Sequence, residues 1–515
     1  MNKITYHQHR KRKQRIQRRL ACIPRDDPGR PVFAAHNIHY ELTGRGGGVT
    51  CGGIGLIHDL VRRVGLADAI DRNLSLLKIH RPYQESDHVL NIAYNILAGG
   101  HCLEDLELLR HNEDYLNALG APGIPDPTTA GDFCRRFSAA DVETLMDTVN
   151  DVRLRLWKHQ PPEFFERAVI DVDGTLAPTT GQCKEGMDIA YNGQWGYHPL
   201  VVSLANTSEP LFLVNRSGNR PSSEGAAKWL DKAGRLCRRA GFRQIVYRGD
   251  TDFSQSERLD GWDDEEGTTF YFGIDAMRSL VERADALAEG SWRRLERPKK
   301  YEVKTTSRAR PANVKEEVVV RRKFTNVRLF SEMISEFAYQ PGACKRAYRV
   351  VVLCKNLTVS RGQQLLFDDL RYFFYITNDW SSSAEEVVFQ ANQRCDQENL
   401  IAQLKGGVRA LRMPVDGLVS NAAYMVMTSL EWTLKAWVGL VLPVAPRWRG
   451  RHEAQKRAVL RMEFRTFLQA FVRVPCQVVR TGRRLVYRLL AWNPWQPVFL
   501  RGADALANYR YPLRC

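Results

Sequence analysis

The stretch VIDVDGTLAP (169–178) runs two apolar residues, Val169 and Ile170, into a pair of carboxylates, Asp171 and Asp173. An apolar run ending this way reads as a buried strand. Residues i and i+2 of a strand share a face, so both acids point the same way. Like charges that close are unfavourable unless a cation or a shared proton joins them. The end of this strand is therefore where chemistry is expected.

Working outward, strands are predicted at 199–205 and 210–215, then a helix at about 222–240 and a strand at 243–249. A helix opened by Ser254 and Glu257 and a strand at 268–274 follow. Three strands, helix, strand, helix, strand is the order of an α/β, ribonuclease-H-like core, which needs one more helix on its far side. Residues 290–380 intervene and are β-rich (YEVKTT, EEVVVRRKF, YRVVVLC, YFFYITN), as an inserted sheet would be. The missing helix comes next. It opens on the Ser383–Glu386 capping box and runs to about Lys405, where Gly406 and Gly407 stop it.

Asp250 closes a second apolar strand in IVYRGDTDFS, and Glu398 lies on the late helix in NQRCDQENLIAQLK. In such a core the first and fourth strands are neighbours and the late helix packs beside them. Asp173 (or Asp171), Asp250 and Glu398 can then converge, although 148 residues separate the last two. Three gathered carboxylates are costly unless Mg²⁺ or Mn²⁺ fills the gap. Two such ions about 4 Å apart can activate water or a 3′-hydroxyl and stabilise the leaving oxygen of a phosphodiester. Arg394, Glu398 and Lys405, at i, i+4 and i+11, share one face of an unbroken helix. Arg394 and Lys405 would there grip phosphates flanking the site.

The 515 residues are too many for one ordinary core. The net charge of +17 is concentrated: +8 falls in residues 1–20, which include Arg10, Lys11 and Arg12, and +10 in residues 443–490. The rest is nearly neutral, so the chain suits a polyanion partner. Eleven cysteines are scattered singly without a C-x-x-C, arguing for a reduced compartment and against a zinc site. No signal peptide is evident. The apolar window Leu418 to Leu442 contains Glu431 and Lys435 and reads as a buried helix rather than a membrane span.

Residues 56–157 have helical periodicity, with stops at Gly99 and Gly100. Thr128 or Thr129 is expected to cap a short helix carrying Arg135 and Arg136, a candidate recognition helix, and Ser138 with Asp141 to cap the next. GRGGGVTCGGIG (44–55) reads as a flexible loop, NRSGN (215–219) as a polar turn, and Trp195, Tyr197 and His198 as core packing or DNA contacts. Arg483, Arg484 and Arg488 are the phosphate-contact candidates of the basic carboxy-terminal region. The divisions expected are a basic arm (1–45), a helical DNA-binding domain (46–160), the core's first part (161–285), the β-rich insertion (286–380), the core's second part with the Glu398 helix (381–440) and a basic helical region (441–515).

Several motifs, in this order, resemble the DDE transposases of the insertion-sequence-1380 group, within the insertion-sequence-4 clan. They are AGGHCLEDLELLR (98–110), DVDGT with GQCKEG and YNGQWGYHPL (171–200), NRSGN, RGDTDF (248–253), RCDQENLIAQLK (394–405) and VRVPCQVVRTGRRLVYRL (472–489). The resemblance implies Asp173 as the first catalytic carboxylate, with Asp171 a neighbouring acid. It maps the clan's Tyr-Arg-Glu-Lys signature onto Arg394, Glu398 and Lys405, while Ala391 stands at the tyrosine position. It further implies double-stranded DNA partners (terminal inverted repeats and target), cut-and-paste movement through a hairpin, a homodimer in a synaptic complex, and a bacterial cytoplasmic, nucleoid-associated setting.

Two rival readings exist. VIDVDGTLAP also fits the first motif of haloacid dehalogenase-type phosphatases, with Asp171 as nucleophile, Asp173 as acid/base and GDTDF as a later Mg²⁺ motif. That reading leaves the basic regions and the acid on the late helix unexplained. A DNA-binding derivative that has lost catalysis would share the basic regions, but all three acids are present.

Overall fold

The computed structural model describes residues 3–21, 47–80, 82–181, 183–297, 321, 327–360, 363–481 and 484–509. The principal helices before the core are α1 (Lys3–Ala21), α2 (Ile54–Arg63), α3 (Leu66–Asn73), α4 (Glu85–Ala98), α5 (Pro127–Arg135) and α6 (Ala139–Trp157). Gly99 ends α4 in the left-handed region at φ 104°, as its stop signal implies. Ser138 and Asp141 form the expected capping box on α6. On α5 the cap is Asp126, not Thr128 or Thr129. Its Oδ1 accepts from the Thr129 amide at 2.9 Å, and Pro127 takes the first helical position, where no amide is needed.

The core strands are β1 (Arg167–Gly174), β2 (Leu200–Leu204), β3 (Glu209–Val214), β4 (Gln244–Gly249) and β5 (Thr268–Ile274). Between β3 and β4 runs α7 (Ala226–Ala240), and between β4 and β5 α8 (Ser256–Asp264). Three long strands follow, β6 (Val327–Tyr339), β7 (Tyr348–Ser360) and β8 (Gln363–Thr377). All eight belong to one nine-stranded sheet, ordered Arg293–Arg294, β6, β7, β8, β5, β4, β1, β2, β3. β1 pairs antiparallel with β2 and parallel with β4, which is itself parallel to β5. The first and fourth core strands are thus neighbours, as the sequence order requires.

Among the described residues, the 290–380 region does not form a separate inserted sheet. β8 pairs with β5 through Phe374↔Ile274 to Thr377↔Tyr271, so the meander extends the core sheet itself. An open edge strand presents unpaired backbone groups, and the meander satisfies those of β5. YEVKTT and most of EEVVVRRKF lie outside the described residues.

After the sheet come α9 (Ala384–Asn392), α10 (Cys395–Ala402), α11 (Leu418–Val441) and α12 (Arg449–Arg461). A hairpin, β9 (Cys476–Thr481) with β10 (Arg484–Leu489), and α13 (Gln496–Ala507) complete the chain. The carboxy-terminal region is therefore mixed rather than helical. Its alternating VRTGRRLVYRL suits two exposed strands about a turn. The glycine-rich segment joins this hairpin: Gly48–Val49 pairs with β9, and the Gly52 and Gly53 amides donate to Val474 and Val472 carbonyls at 3.0 Å. A Cβ on Gly53 would lie 1.7 Å from the Phe471 carbonyl oxygen, so glycine here serves close backbone packing rather than flexibility.

One continuous apolar core runs from Val49 to Leu506, and helices on both sides of residue 160 share it. α11 lies inside it, with Glu431 and Lys435 fully buried. No single helix among the described residues is long and apolar enough to cross a membrane. The helical layer is joined to the sheet by a buried ion pair: Arg153 of α6 donates through Nε to Glu209 of β3 at 2.9 Å. Glu209 also accepts from the Trp157 and Trp437 indoles at 3.2 and 2.9 Å and from the Thr207 hydroxyl at 2.6 Å. Glu209→Ala would strand the Arg153 charge in the core. It is expected to lower stability by about 3–5 kcal/mol, read from chemical denaturation midpoints.

Candidate active site

The two acids of VIDVDGT have separate fates. In the parallel pairing of β1 and β4, Asp171 stands opposite Arg248. Arg248 grips it bidentately, Nε to Oδ1 at 2.7 Å and Nη2 to Oδ2 at 2.8 Å, and Asp171 is 1% exposed. Both Asp171 oxygens are thus engaged. Two residues further on, strand alternation carries the same facing to Asp173 on β1 and to Asp250 just past β4. The register that makes the buried ion pair also sets the two site aspartates side by side.

Arg248 reaches the late helix as well, through Nη1 to the Gln390 carbonyl at 3.2 Å and to Gln393 Oε1 at 3.3 Å. That helix is not continuous. The Ser383–Glu386 box opens α9 as expected, but the chain turns at Gln393 and Arg394 before α10 begins. Buried Gln397 then pins α10 to the sheet, donating to the Val201 carbonyl at 3.0 Å and accepting from the Ser203 hydroxyl. Val201 is the cross-strand partner of Asp173, so this contact brings Glu398 to the Asp173 end of the sheet.

Beyond α10 the helix widens into a π-turn, Gln403–Gly407, where Val408 N donates to Gln403 O at 2.9 Å. The single helical face expected for Arg394, Glu398 and Lys405 therefore holds from Arg394, the N-cap of α10, to Glu398 and is interrupted once, before Lys405. The Gly406–Gly407 pair lies in that π-turn, and the Gln403 side chain there accepts from Phe464 N at 2.9 Å.

The electrostatics fit crowded acids. The pKa of Asp173 is pushed up to about 7, first by burial and then by the negative charge of Asp250, with Glu398 adding to the effect and Arg394 opposing it. Burial raises Asp250 too, against the pull of Arg394, whose Nη1 lies 3.8 Å from Asp250 Oδ2. Desolvation lowers the Lys405 ammonium while the charge of Asp173 holds it up. Arg394 thus faces the acids themselves, and Lys405 feels the same site. Glu398 is exposed on α10. Among the described residues no three His, Cys, Asp or Glu side chains are grouped closely enough to hold an ion. The donor chemistry nevertheless fits a hard divalent cation, since Asp173 and Asp250 are carboxylates close enough for the charge of one to act on the other.

The other candidates divide. Arg135 is paired with Asp132 and Asp416, both at 2.9 Å, and Arg136 donates weakly to the Leu76 carbonyl at 3.5 Å. Arg10 and Lys11 are exposed on α1, which docks on the carboxy-terminal hairpin region. Arg12 Nη1 donates to the Leu489 carbonyl at 2.6 Å, and the His9 ring lies 6.1 Å from that of Trp492. Arg484 and Arg488 are exposed on β10, and Arg483 lies outside the described residues. The two basic ends of the sequence are thus neighbours in space. Tyr197 is buried, with its hydroxyl donating to the Glu185 carbonyl at 2.8 Å, while Trp195 is 51% exposed.

Sequence reasoning passed over Arg248 and Gln397. The signal for Arg248 was available, because it stands two residues before Asp250 as Asp171 stands two before Asp173. For Gln397 there was none, since a buried glutamine on a polar helix has no pattern of its own.

A carboxyl with a folded pKa above its unfolded value binds its proton more tightly when folded. Its contribution to stability falls as pH rises from the ordinary 3.8 to about 7, then stays flat. Asp173→Asn removes this penalty. In metal-free buffer the variant is expected to melt above the parent at pH 8, with the gap closing toward pH 4, as thermal unfolding across that range would show.

Comparison with known proteins adds three findings. A family model described as "Transposase DDE domain group 1" matches residues 33–511. No curated protein matches the chain. Among solved structures it is similar to one titled "Cryo-EM structure of piggyBac transposase synaptic complex with hairpin DNA (SNHP)". The identity there is 10%, the TM-score 0.33, and the match covers 92% of this chain and 90% of that one.

Proposed function

This chain belongs to the transposase DDE domain family, group 1, and on that premise we propose that it cuts DNA at the ends of a mobile element and joins those ends to target DNA. The observation carrying this reading is the strand register that sets Asp173 beside Asp250 while Arg248 takes up Asp171. Asp173 and Asp250 would hold divalent ions, with Glu398 the third ligand, inside a ribonuclease-H-like core. Such ions, when bound, supply an activated oxygen nucleophile and a stabilised leaving oxygen. The sheet order β3-β2-β1-β4-β5, with β1, β4 and β5 parallel, supports that core.

Arg394 and Lys405 then serve DNA phosphates next to the acids. The exposed Arg10, Lys11, Arg484 and Arg488 offer a separate basic surface for the duplex. The motif series from residue 98 to residue 489 supports the insertion-sequence-1380 group in particular. With it come cut-and-paste movement and a dimer that pairs two ends. The phosphatase alternative needs Asp171 as an accessible nucleophile. At 1% exposure, with both oxygens bound by Arg248, Asp171 does not suit that role.

The test is cleavage of labelled DNA carrying the repeats that flank the gene, in Mg²⁺. Asp173→Asn, Asp250→Asn and Glu398→Gln are each expected to remove several kcal/mol of charge stabilisation, on the order of 10³-fold in rate. Full activity from Asp173→Asn with none from Asp171→Asn would instead make Asp171 the first ligand. Hydrolysis of p-nitrophenyl phosphate that survives Glu398→Gln, without any DNA cleavage by the parent, would replace the reading with a phosphatase. Mg²⁺ or Mn²⁺ is also expected to raise the melting temperature of the parent and to leave that of Asp173→Asn unmoved.

A further inference from the structure

The chain leaves the π-turn at Gln403–Gly407 through a residue in the left-handed region, Arg409 at φ 56°. Helices commonly end this way, but with glycine or asparagine at that position, because an L side chain is strained there. The turn itself is well bonded. The Val408 amide donates to the Gln403 carbonyl at 2.9 Å and the Ala410 amide to the Leu404 carbonyl at 2.8 Å. Glycine would make the same bonds without the strain. The non-glycine residues at positive φ among those described are Ser208, Gln255, Arg409 and Met413, so Arg409 is the only charged one.

The guanidinium does little for the fold in return. Arg409 is half-buried, and its side chain makes no hydrogen bond or ion pair with a described residue. Other groups fix the loop. Val408, Ala410, Leu411, Met413 and Val415 are buried. Arg412 Nη1 donates to the His101 carbonyl at 2.6 Å. The Asn421 side chain accepts from the Val415 amide at 3.0 Å and donates to its carbonyl at 2.8 Å.

Apolar side chains thus hold this loop from within, and the charges it carries are all positive. From Asn399 to Val415 the sequence has Lys405, Arg409 and Arg412 and no acid. Lys405 and Arg412 are exposed. Lys405 lies within reach of the charge of Asp173, while Arg409 and Arg412 both act on the Tyr424 hydroxyl of α11. A line of cations therefore leads away from the acid pair, and the strained residue stands in the middle of it.

A strained backbone that carries a side chain without a partner in the protein points to a partner outside it. We propose that Arg409 binds a phosphate of duplex DNA, separate from the one assigned to Lys405, and that the loop after the π-turn continues the phosphate track away from the acids. The inference rests on the transposase reading and extends it beyond the Arg394–Glu398–Lys405 segment. The role is one of binding: the guanidinium holds the duplex and takes no part in the bond-making step.

The experiment uses the full chain, duplex DNA bearing the flanking repeats, and an unrelated duplex of the same length. Arg409→Gly keeps the turn and removes the guanidinium, while Arg409→Lys keeps the charge without the fork. Arg409→Gly is expected to melt no lower than the parent, since glycine relieves the left-handed strain. It should bind either duplex roughly 10-fold more weakly, the loss of one charge-assisted hydrogen bond. The slope of log binding constant against log salt should become shallower by about 0.9, the counterion release of one phosphate. Adding Lys405→Gln should flatten it by a similar further amount. Cleavage by Arg409→Gly should recover toward the parent rate at saturating DNA. Arg409→Lys is expected to keep the parent slope at an intermediate affinity.

Parent affinity and slope in Arg409→Gly would overturn the proposal. A melting temperature below that of the parent would do so too, because the arginine would then serve the helix end, where a cation meets the dipole. A parent that binds both duplexes and cuts neither overturns the transposase reading alone, since the salt slope still decides on Arg409. A parent that binds neither overturns both.

Discussion

The buried pair of Asp171 and Arg248 is the constraint from which the site follows. Taking two charges out of water is unfavourable unless their geometry is close to ideal and their remaining hydrogen-bonding capacity is filled. Both conditions are met: the guanidinium fork meets the carboxylate at 2.7 and 2.8 Å, and its third nitrogen reaches Gln390 and Gln393. One side chain therefore ties β1, β4 and the late helix together, and each of these carries or leads to one acid of the site. Slipping the β1–β4 register by one residue would break the pair and turn Asp173 to the opposite face. The ion pair thus fixes the alignment on which Asp173 and Asp250 depend.

The same fixed frame explains why the two aspartates stay together although they repel. Each lies where its strand ends, and Arg394, paired with Asp250 at 3.8 Å, offsets part of their charge. Burial raises the pKa of both, and the charge of Asp250 adds to the rise at Asp173. Glu398 is placed by a different device, the Gln397 amide on the Asp173 side of β2. Two acids are thus set by strand register and the third by the hydrogen bonds of one side chain, Gln397. That difference matches the geometry, with the aspartates adjacent and the glutamate exposed.

Much of this arrangement was legible in the sequence, because its signals are local. An apolar run into an acid marks β1 and β4, and Ser138–Asp141 and Ser383–Glu386 are capping boxes in both sequence and structure. What was not legible depends on contacts between distant segments. β5 pairs with β8 across about a hundred residues, so local patterning could not tell an extended core sheet from a separate one. The glycines at 52 and 53 looked flexible because their packing partners, Cys476 and Phe471, lie more than 400 positions away. Asp126 was overlooked as a cap because threonines with the same capacity follow it. At the π-turn the Gln403 side chain accepts from Phe464 N, a contact no helical period encodes.

A basic tail with no fixed contact would meet DNA at a distance set only by its length. Here α1 is held: Arg12 donates to the last carbonyl of β10, and His9 packs near Trp492. The described residues of α1 and of the β9–β10 hairpin therefore present their charges as one surface rather than two. Their like charges are brought together by neutral contacts, a backbone carbonyl and two aromatic rings, so that Arg10, Lys11, Arg484 and Arg488 stay exposed and largely free of acids. The repulsion this creates is relieved by a polyanion and by little else within reach. In that respect it parallels the aspartate pair, which a cation would relieve. The molecule thus keeps two charge clusters of opposite sign, a basic surface shared by α1 and the β9–β10 hairpin and an acid pair at the ends of β1 and β4 that Arg394 offsets only in part.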